Sequence, residues 1–325
     1  MAQLIQMRQR IKAIETIKKI THAMRLISMS MHSRLRNKTP LLKKYNNEIE
    51  NLFKKLRSIS PKWQNAITNP QMPKEFNPLF IIVGSQKGLC GTFNTNLIKE
   101  FEKAIPLQEI ENTNFILVGK KAVDYFADKN AKSIVKQFSE INMRNFTKIS
   151  SEIVDIIINA TTPYSCVKIL SNELKTFFHQ KPRLIQLIPI EQNFSGTSTG
   201  GTNTAQTGST EKTSSTGKPE ETNLQNKTNL SPQENAENTE FSAQDFVWFQ
   251  KSEDILDQLA PQYIASNVNA FLIESLLAEQ AARFLSMDTA TRNAKNLLEE
   301  TTLQYNKLRQ AKITKELTEL ATNFE

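Results

Sequence analysis

The loop formed by residues 84–91 has the residue types that come closest to those of a binding or catalytic site. It lies between a predicted strand and a predicted helix, where many α/β proteins hold a phosphate group. Its sequence, Gly-Ser-Gln-Lys-Gly-Leu-Cys-Gly, contains neither the Gly-Lys-Ser/Thr ending of a P-loop nor the Gly-x-Gly-x-x-Gly pattern of a dinucleotide site. The spacing therefore favours a tight turn, and a nucleotide-binding α/β protein that uses this loop is the alternative.

Cys90 lies in the same loop, just before the predicted helix, where a thiol can act as a nucleophile. A catalytic thiol needs a base, but His22 and His32 lie in a basic N-terminal segment, and nothing in the sequence brings His179 to Cys90. The closest two histidines are ten residues apart, which is not a metal-ligand spacing. We therefore expect a structural thiol, with no catalytic residue, metal, cofactor or small-molecule ligand.

Length and composition bound the rest of the chain. Its 325 residues allow two domains, or one domain with an elongated part. The two cysteines, Cys90 and Cys166, give no disulfide framework and suit a reducing compartment. No run of 18 apolar residues is present, and the first residues do not form a signal peptide, so no membrane span is expected.

Two long segments without glycine or proline, residues 3–39 and 262–325, must position whatever lies between them. An unbroken helix over the last 64 residues would be roughly 95 Å long, and its charged residues exclude a membrane span. Its apolar pattern thins between Met287 and Asn296, so we expect this stretch to face water or a polar partner surface. The segment is predicted to be a shaft.

The N-terminal segment carries an apolar residue about every 3.4 positions, close to the 3.5 of a coiled coil. Pro40 is predicted to kink or interrupt this helix. If the middle of the chain is a compact domain, the two terminal helices can pair antiparallel. The predicted seam consists of Ile11, Ile14, Ile17, Ile20 and Ile27 in the first helix and of Ile313, Leu317 and Leu320 in the second.

The middle of the chain shows the alternation of strands and helices that predicts a mostly parallel sheet. Predicted strands cover 79–83, 115–118, 166–170 and 183–190, and predicted helices cover 94–105, with Asn94 as its cap, 120–127 and 149–160. Residues 192–245 are dominated by Thr, Ser, Asn, Gln and Glu, a composition typical of a disordered insertion. The expected division is a helix (1–57), an α/β domain (58–191), this insertion, a last strand with a connection (246–261) and a helix (262–325).

The net charge of +8 is concentrated at the N-terminus, where residues 1–40 hold nine Lys and Arg side chains and one acid, Glu15. An amphipathic basic helix of this kind is similar to a mitochondrial presequence, but its apolar seam is much longer than import requires. Nucleic-acid binding is the second interpretation, although residues 1–44 contain no aromatic side chain for base stacking. A basic face on a coiled-coil scaffold, able to contact an acidic protein, is the third.

Motifs at both ends of the chain and in the loop resemble the gamma subunit family of the rotary, F-type ATP synthase. They occur in order at residues 10–24, 88–94, 279–283, 287–294 and 305–317, with the sequences RIKAIETIKKITHAM, GLCGTFN, EQAAR, MDTATRNA and YNKLRQAKITKEL. The resemblance covers residues 1–191 and 246–325 and is looser through the middle. Neither alternative, the nucleotide-binding protein or the nucleic-acid scaffold, accounts for these motifs.

The resemblance implies a fold and a set of partners. The terminal helices would form an antiparallel coiled coil inside a head of three alpha and three beta subunits. A central Rossmann-like α/β domain that binds no nucleotide would form a foot on the epsilon subunit and the membrane c-ring. Proton flow would turn the ring and this non-catalytic shaft, whose asymmetry changes the nucleotide affinities of the beta subunits.

The resemblance also implies individual contact residues. Those that match the family's contacts with the beta subunits are Met24, Arg309, Gln310, Thr314 and Glu316. The plant chloroplast gamma subunit has two cysteines in an insertion, whereas residues 192–245 have none, so thiol switching is not expected. Because the family motif begins at the start of this chain, we expect a bacterial protein on the cytoplasmic face of the inner membrane.

Overall fold

The computed structural model describes residues 2–61, 63, 65, 77–105, 110, 112–128, 133–190 and 251–322, without the side chains of 2 and 320–322. The predicted insertion at 192–245 and the predicted strand at 246–249 lie outside these residues.

Two long helices pair antiparallel. Helix α1 (Ala2–Ile59) has 58 residues, and helix α5 (Ser252–Thr322) has 71 residues. The Arg8 guanidinium donates to the Tyr305 hydroxyl near one end of the pair, and the hydroxyls of Ser60 and Ser252 are hydrogen-bonded at the other. The predicted antiparallel pair is therefore confirmed.

Pro40 lies inside α1, so the predicted interruption of the helix is wrong. A proline removes one backbone N–H from the helix, and its ring is tolerated only where the surroundings hold the chain in place. Pro40 itself is exposed, while Leu35 and Leu42 on either side of it pack into the main hydrophobic core. This packing keeps α1 continuous through residue 40.

A five-stranded sheet lies between the two long helices in the sequence. Its strands are β1 (Pro78–Val83), β2 (Asn114–Val118), β3 (Ile134–Phe138), β4 (Cys166–Thr176) and β5 (His179–Ile188). Their order is β3-β2-β1-β4-β5, and only the pairing of β4 with β5 is antiparallel. The predicted mostly parallel sheet is confirmed, and β3 is an additional strand.

Three shorter helices connect the strands: α2 (Phe93–Ala104), α3 (Lys120–Asp128) and α4 (Phe146–Ile158). Each overlaps a helix predicted from the sequence. The predicted cap at Asn94 is wrong, because α2 begins one residue earlier and Thr92 occupies the N-cap position. The Asn94 side chain is used in the preceding loop instead.

Strand β1 explains how the sheet joins the long helices. All six residues of β1 are buried, and successive side chains point to opposite faces. Leu79, Ile81 and Val83 pack in one core with residues of α1, α4 and α5, whereas Phe80 and Ile82 pack in another with residues of α2 and α3. The parts of α1 and α5 that pack on the sheet, near Leu35 and Leu42 in α1 and from Ile264 to Leu277 in α5, therefore form one layer of the α/β domain. The predicted domain boundaries at 57/58 and 261/262 stay a prediction.

Candidate functional site

The side of α1 that faces α5 follows a coiled-coil repeat. Ile14, Thr21, Ser28 and Leu35 are buried at intervals of seven residues, with exposed fractions of 6%, 9%, 1% and 2%. A seven-residue repeat is typical of two helices that supercoil around each other. Of the predicted seam residues in α1, Ile14 is buried and Ile11 is partly buried.

Three other predicted seam residues do not lie between the helices. Ile17, Ile20 and Ile27 are 52%, 54% and 62% exposed, so their assignment to this seam is wrong. The predicted series takes two successive steps of three residues after Ile14, and each such step turns the position about 60° around the helix axis. The series therefore leaves the face that contacts α5 and continues along a neighbouring face.

Two of the predicted seam residues near the end of α5 are also exposed. Since Arg8 lies opposite Tyr305, the beginning of α1 at Ala2 lies opposite residues near 311. Helix α5 continues to Thr322, beyond the first described residue of α1. Ile313 and Leu317 are 48% and 62% exposed, so their predicted pairing with α1 is wrong, and the side chain of Leu320 lies outside the described residues.

The middle of the helix pair is polar. The Arg25 guanidinium donates to the Asp288 carboxylate over 2.7 Å, and the Thr291 hydroxyl donates to that of Thr21 over 3.0 Å. Met287 and Ala294 are buried and Asp288, Ala290 and Thr291 are partly buried, whereas the remaining five residues of the stretch 287–296 are exposed. This stretch, which was expected to face water or a partner, thus has one face against α1 and one face open.

An exposed apolar stripe runs along α1. It consists of Ile17, Ile20 and Ile27, which are between 52% and 62% exposed. Arg10 and Arg34, seven residues before Ile17 and seven residues after Ile27, lie at its two ends and are exposed as well. Exposed apolar groups of this size, rimmed by polar residues, commonly mark a protein–protein interface.

The residues that match beta-subunit contacts lie in two places. Met24 is partly buried on α1, next to the exposed apolar stripe. Arg309, Gln310, Thr314 and Glu316 are exposed on the last part of α5. The Thr314 hydroxyl donates to the Gln310 carbonyl over 3.0 Å, and Glu316 is paired with Lys312 over 3.3 Å.

The strand-end loop, residues 84–91, is closed by Asn94. Its Oδ1 accepts from the Ser85 N–H over 3.0 Å, and its Nδ2 donates to the Ser85 hydroxyl over 2.7 Å. Leu89 and Gly91 have positive φ angles of 63° and 59°, which bring the chain sharply into α2. The sequence-based expectation of a tight turn agrees with this geometry.

Cys90 is buried among apolar groups at the start of α2. Its thiol is 3% exposed and packs with Phe93 and with Ala278 and Ala282 of α5. Burial raises the pKa of the Cys90 thiol, which disfavours the thiolate that a nucleophile requires. His179 is exposed at the start of β5, so these positions fit a structural thiol.

Glu279 and Arg283 of α5 bind the strand-end loop. The Arg283 guanidinium donates to the Glu279 carboxylate and, over 3.0 Å, to the Lys87 carbonyl. Burial raises the pKa of Glu279, while the Arg283 guanidinium and the backbone at Gln86 and Lys87 lower it. Sequence reasoning recognised these two residues as part of a motif but assigned them no contact, although their i, i+4 spacing is that of a helical ion pair.

Helix α5 therefore covers the edge of the sheet at which α/β proteins bind their ligands. The strand order reverses direction between β1 and β4, and ligands of open α/β sheets bind outside the carboxyl ends of the strands at such a point. Here two side chains of α5, those of Glu279 and Arg283, contact the loop after β1. Leu174 of β4 packs against the group formed by Cys90, Phe93, Ala278 and Ala282. Helix α5 thus takes up part of the space in which a ligand of such a sheet lies.

The described part of the chain contains no group of three or more His, Cys, Asp or Glu residues arranged to hold a metal ion. None of its helices combines the length and the apolar character that crossing a membrane requires.

A family model described as ATP synthase matches residues 3–325. The ATP synthase gamma chain of Bdellovibrio bacteriovorus is 26% identical over 100% of this chain and 99% of its own length. The gamma chain of Desulforudis audaxviator is 25% identical over 96% of this chain and 95% of its own length. These matches include both long helices and the strand-end loop.

Solved structures show the same fold. A chain of the Euglena gracilis mitochondrial ATP synthase, in an assembly of OSCP, F1 and c-ring, aligns with a TM-score of 0.62 and 13% identity over 99% of this chain and 94% of that chain. A chain of the Euglena rotor aligns with a TM-score of 0.58 and 14% identity over 96% and 99%. Because the family model matches nearly the whole length of this chain, the chain belongs to the ATP synthase family, and the relatives that it matches from end to end are gamma chains.

Proposed function

We propose that this chain is the central rotor shaft of a proton-translocating ATP synthase. The observation that carries the proposal is the antiparallel pair of long helices, of which the part that packs on the sheet forms one layer of the α/β domain. Helix α5 alone is roughly 105 Å long at 1.5 Å per residue. A rod that is built into the core of a wider base is suited to passing rotation from the base to its tip.

In this proposal, the part of the helix pair that extends beyond the α/β domain contacts the alpha and beta subunits. The exposed apolar stripe on α1 supports it, because this surface has no cover among the described residues and has the composition of an interface. On α5, Arg309, Gln310, Thr314 and Glu316 contact the beta subunits. Arg309 is suited to this role since a guanidinium can bind a carboxylate through two parallel hydrogen bonds.

The α/β domain contacts the epsilon subunit and the c-ring in this proposal. Support comes from the Euglena assembly, which contains F1 and a c-ring by its description. Rotation of the c-ring turns the domain and with it the helix pair. The asymmetric helix pair then takes the three beta sites in turn through different nucleotide affinities, during synthesis or hydrolysis of ATP.

The chain itself performs no bond chemistry in this proposal and is a non-catalytic subunit of the ATPase complex. The burial of Cys90 and the occupation of the strand-end loop by α5 support this role. We place the chain on the cytoplasmic face of the bacterial inner membrane, as a peripheral component. The two bacterial gamma chains that match it from end to end support this location.

The test is affinity isolation of the tagged chain from mildly solubilised membranes, followed by determination of subunit masses and stoichiometry. We expect one copy with three alpha subunits, three beta subunits and a c-ring. An untagged strain carried through the same steps controls for adsorption. Recovery of a soluble particle without those subunits would overturn the proposal and return attention to the strand-end loop and the basic helix.

A further inference from the structure

The contact between α5 and the strand-end loop is made by a buried charged pair. The side chains of Glu279 and Arg283 are 4% and 7% exposed. Besides its bonds to Glu279 and to the Lys87 carbonyl, Arg283 donates through Nε to the Gly88 carbonyl over 3.4 Å. These bonds connect the helix to two carbonyl groups of the loop backbone.

The apolar contact around this pair is small. Ala278 and Ala282 of α5 pack against Cys90 and Phe93, and two alanines bury little surface. Burial raises the pKa of Glu279, while Arg283 and the backbone at Gln86 and Lys87 lower it. A buried ion pair of this kind gives little net stability compared with apolar residues of similar volume. What the pair adds is a defined orientation of α5 relative to the loop, because hydrogen bonds depend on their angle and apolar contacts do not.

The α/β domain is also attached to the long helices by an apolar core. On one face of the sheet, residues of α5 from Ile264 to Leu277 share this core with β1 and α4. The strand-end loop meets α5 directly after it, between residues 278 and 283. A directional contact at the end of an apolar one fixes the orientation of a domain that the apolar contact alone leaves free to adjust.

We propose that Glu279 and Arg283 are positioning residues that prevent the α/β domain from turning relative to the shaft under load. Rotation imposed on the domain reaches α5 through the backbone of Lys87 and Gly88 as well as through the apolar core. The inference rests on the proposed rotor function. It assigns to this pair the transmission of torque within the subunit and not contact with a partner.

Hydrogen exchange of the isolated full-length chain tests the contact without reference to rotation. In Arg283→Gln, we expect the backbone N–H group of Ser85, which donates to Asn94 in the strand-end loop, to exchange at least about tenfold faster, because local opening of the loop becomes easier. The matched control is Lys295→Gln, which removes an exposed ion pair with Glu299 on the same helix. Unchanged exchange at Ser85 in Arg283→Gln would overturn the proposal.

The ratio of protons pumped to ATP hydrolysed, measured with the assembled complex in membrane vesicles, tests the consequence. We expect Arg283→Gln to hydrolyse ATP while pumping fewer protons per ATP, and Arg283→Lys, which keeps the charge but not the forked geometry, to lie between it and the parent. Leu276→Ala removes a core side chain of the same helix and keeps both charges, so it should lower Tm without lowering the ratio.

The outcomes separate the inference from the function on which it rests. A parental ratio in Arg283→Gln, or an equal loss in Leu276→Ala, would overturn the positioning role while leaving the rotor function intact. Failure of the parent chain to assemble with alpha and beta subunits would overturn the rotor function. If Arg283→Gln itself does not accumulate, Arg283→Lys and Glu279→Gln carry the same comparison, and parental ratios in both would contradict the proposal.

Discussion

The Arg25 guanidinium donates to the Asp288 carboxylate over 2.7 Å, which joins two residues that are 263 positions apart in the sequence. Asp288 also accepts from Arg292, one turn further along α5. A carboxylate between two guanidinium groups fixes the relative register of α1 and α5 where the seam between them is polar. Apolar packing alone specifies register weakly in such a stretch, since Thr21 and Ser28 fill neighbouring seam positions.

Asp288→Asn should weaken the pairing of the helices, by a small amount because the site is partly open to water. The hydrogen bond from Arg25 is the main cause that lowers the pKa of Asp288 below its ordinary value of 3.8. A carboxylate with a lowered pKa adds stability above that ordinary value, and the addition is lost as the pH falls below it.

The check is urea unfolding of the parent chain and the variant between pH 7 and about pH 3. The stability difference between them should shrink below about pH 4. Glu299→Gln, on an exposed position of the same helix, is the control. A difference that stays constant over this pH range would contradict the assignment to Asp288.

Leu35→Ala should strongly destabilise the chain. Leu35 is 2% exposed and belongs to the core that α1 shares with the sheet. Truncation of a buried leucine costs about 2–5 kcal/mol through lost burial and the cavity that it leaves. Leu41→Ala, on the same helix but 76% exposed, should change the free energy of unfolding by less than about 0.5 kcal/mol. Urea unfolding of both variants measures the difference, and similar losses would contradict the shared core.

Most of the fold could be predicted because its apolar patterns are strong. The continuous apolar run of β1 and the long glycine-free helices are visible in the sequence without any partner information. Strand β3 was missed because it is an edge strand in which Val135, Lys136 and Gln137 are exposed, so it lacks an apolar pattern. The outer half of β4 is polar as well and is a strand because it pairs with β5.

The site could be predicted only in part. The motif that contains Glu279 and Arg283 was recognised, but its contact with Lys87 joins residues 196 positions apart, and no local pattern encodes such a contact. The seam was partly misassigned because α1 has two apolar faces, one against α5 and one exposed. Ile14 lies on the first and Ile17 on the second, and spacing alone does not say which face the partner helix covers.

Gly119→Ala should prevent the ends of β1 and β2 from adopting their observed positions. Gly119 has a φ of 91°, and an added Cβ would lie 2.3 Å from the Gly84 carbonyl oxygen. The unfavourable φ of an alanine and the clash with the Gly84 carbonyl together should lower the free energy of unfolding by more than about 2 kcal/mol. Gly88→Ala is the matched control, because an added Cβ there has no atom within 4 Å among its described neighbours. The Tm of the two variants decides, and a Gly119→Ala variant as stable as Gly88→Ala would refute the strain.

His32 should make the stability of the fold depend on pH. It is 5% exposed, its ring lies 5.0 Å from that of Phe177, and its Nε2 has no hydrogen-bond partner among the described residues. Burial, and then the charge of Arg36, lower the pKa of His32 below 6.5. A histidine with a lowered pKa stabilises the fold fully above its ordinary value, and this contribution is lost as the pH falls through 6.5 toward the lowered folded pKa.

The corresponding measurement is Tm as a function of pH between about 7.5 and 5.5. The Tm of the parent chain should fall over this range, and His32→Gln should show a smaller fall. His179→Gln changes an exposed histidine and should follow the parent. If His32→Gln and the parent show the same slope, the buried histidine is not the source of the dependence.

Met24→Lys should impair energy coupling without unfolding the chain. Met24 is partly buried between the seam and the exposed apolar stripe, so a lysine there can extend its ammonium group into the surroundings. In the assembled complex this places a charge against the facing subunits, where an unpaired charge costs free energy and alters the contact in some rotational positions more than in others.

We expect the complex to assemble and hydrolyse ATP but to lose most of its proton-driven ATP synthesis. Met24→Leu conserves volume and should synthesise ATP normally. Both rates are measured in membrane vesicles, and normal synthesis by Met24→Lys would show that this position does not bear on the rotor contact.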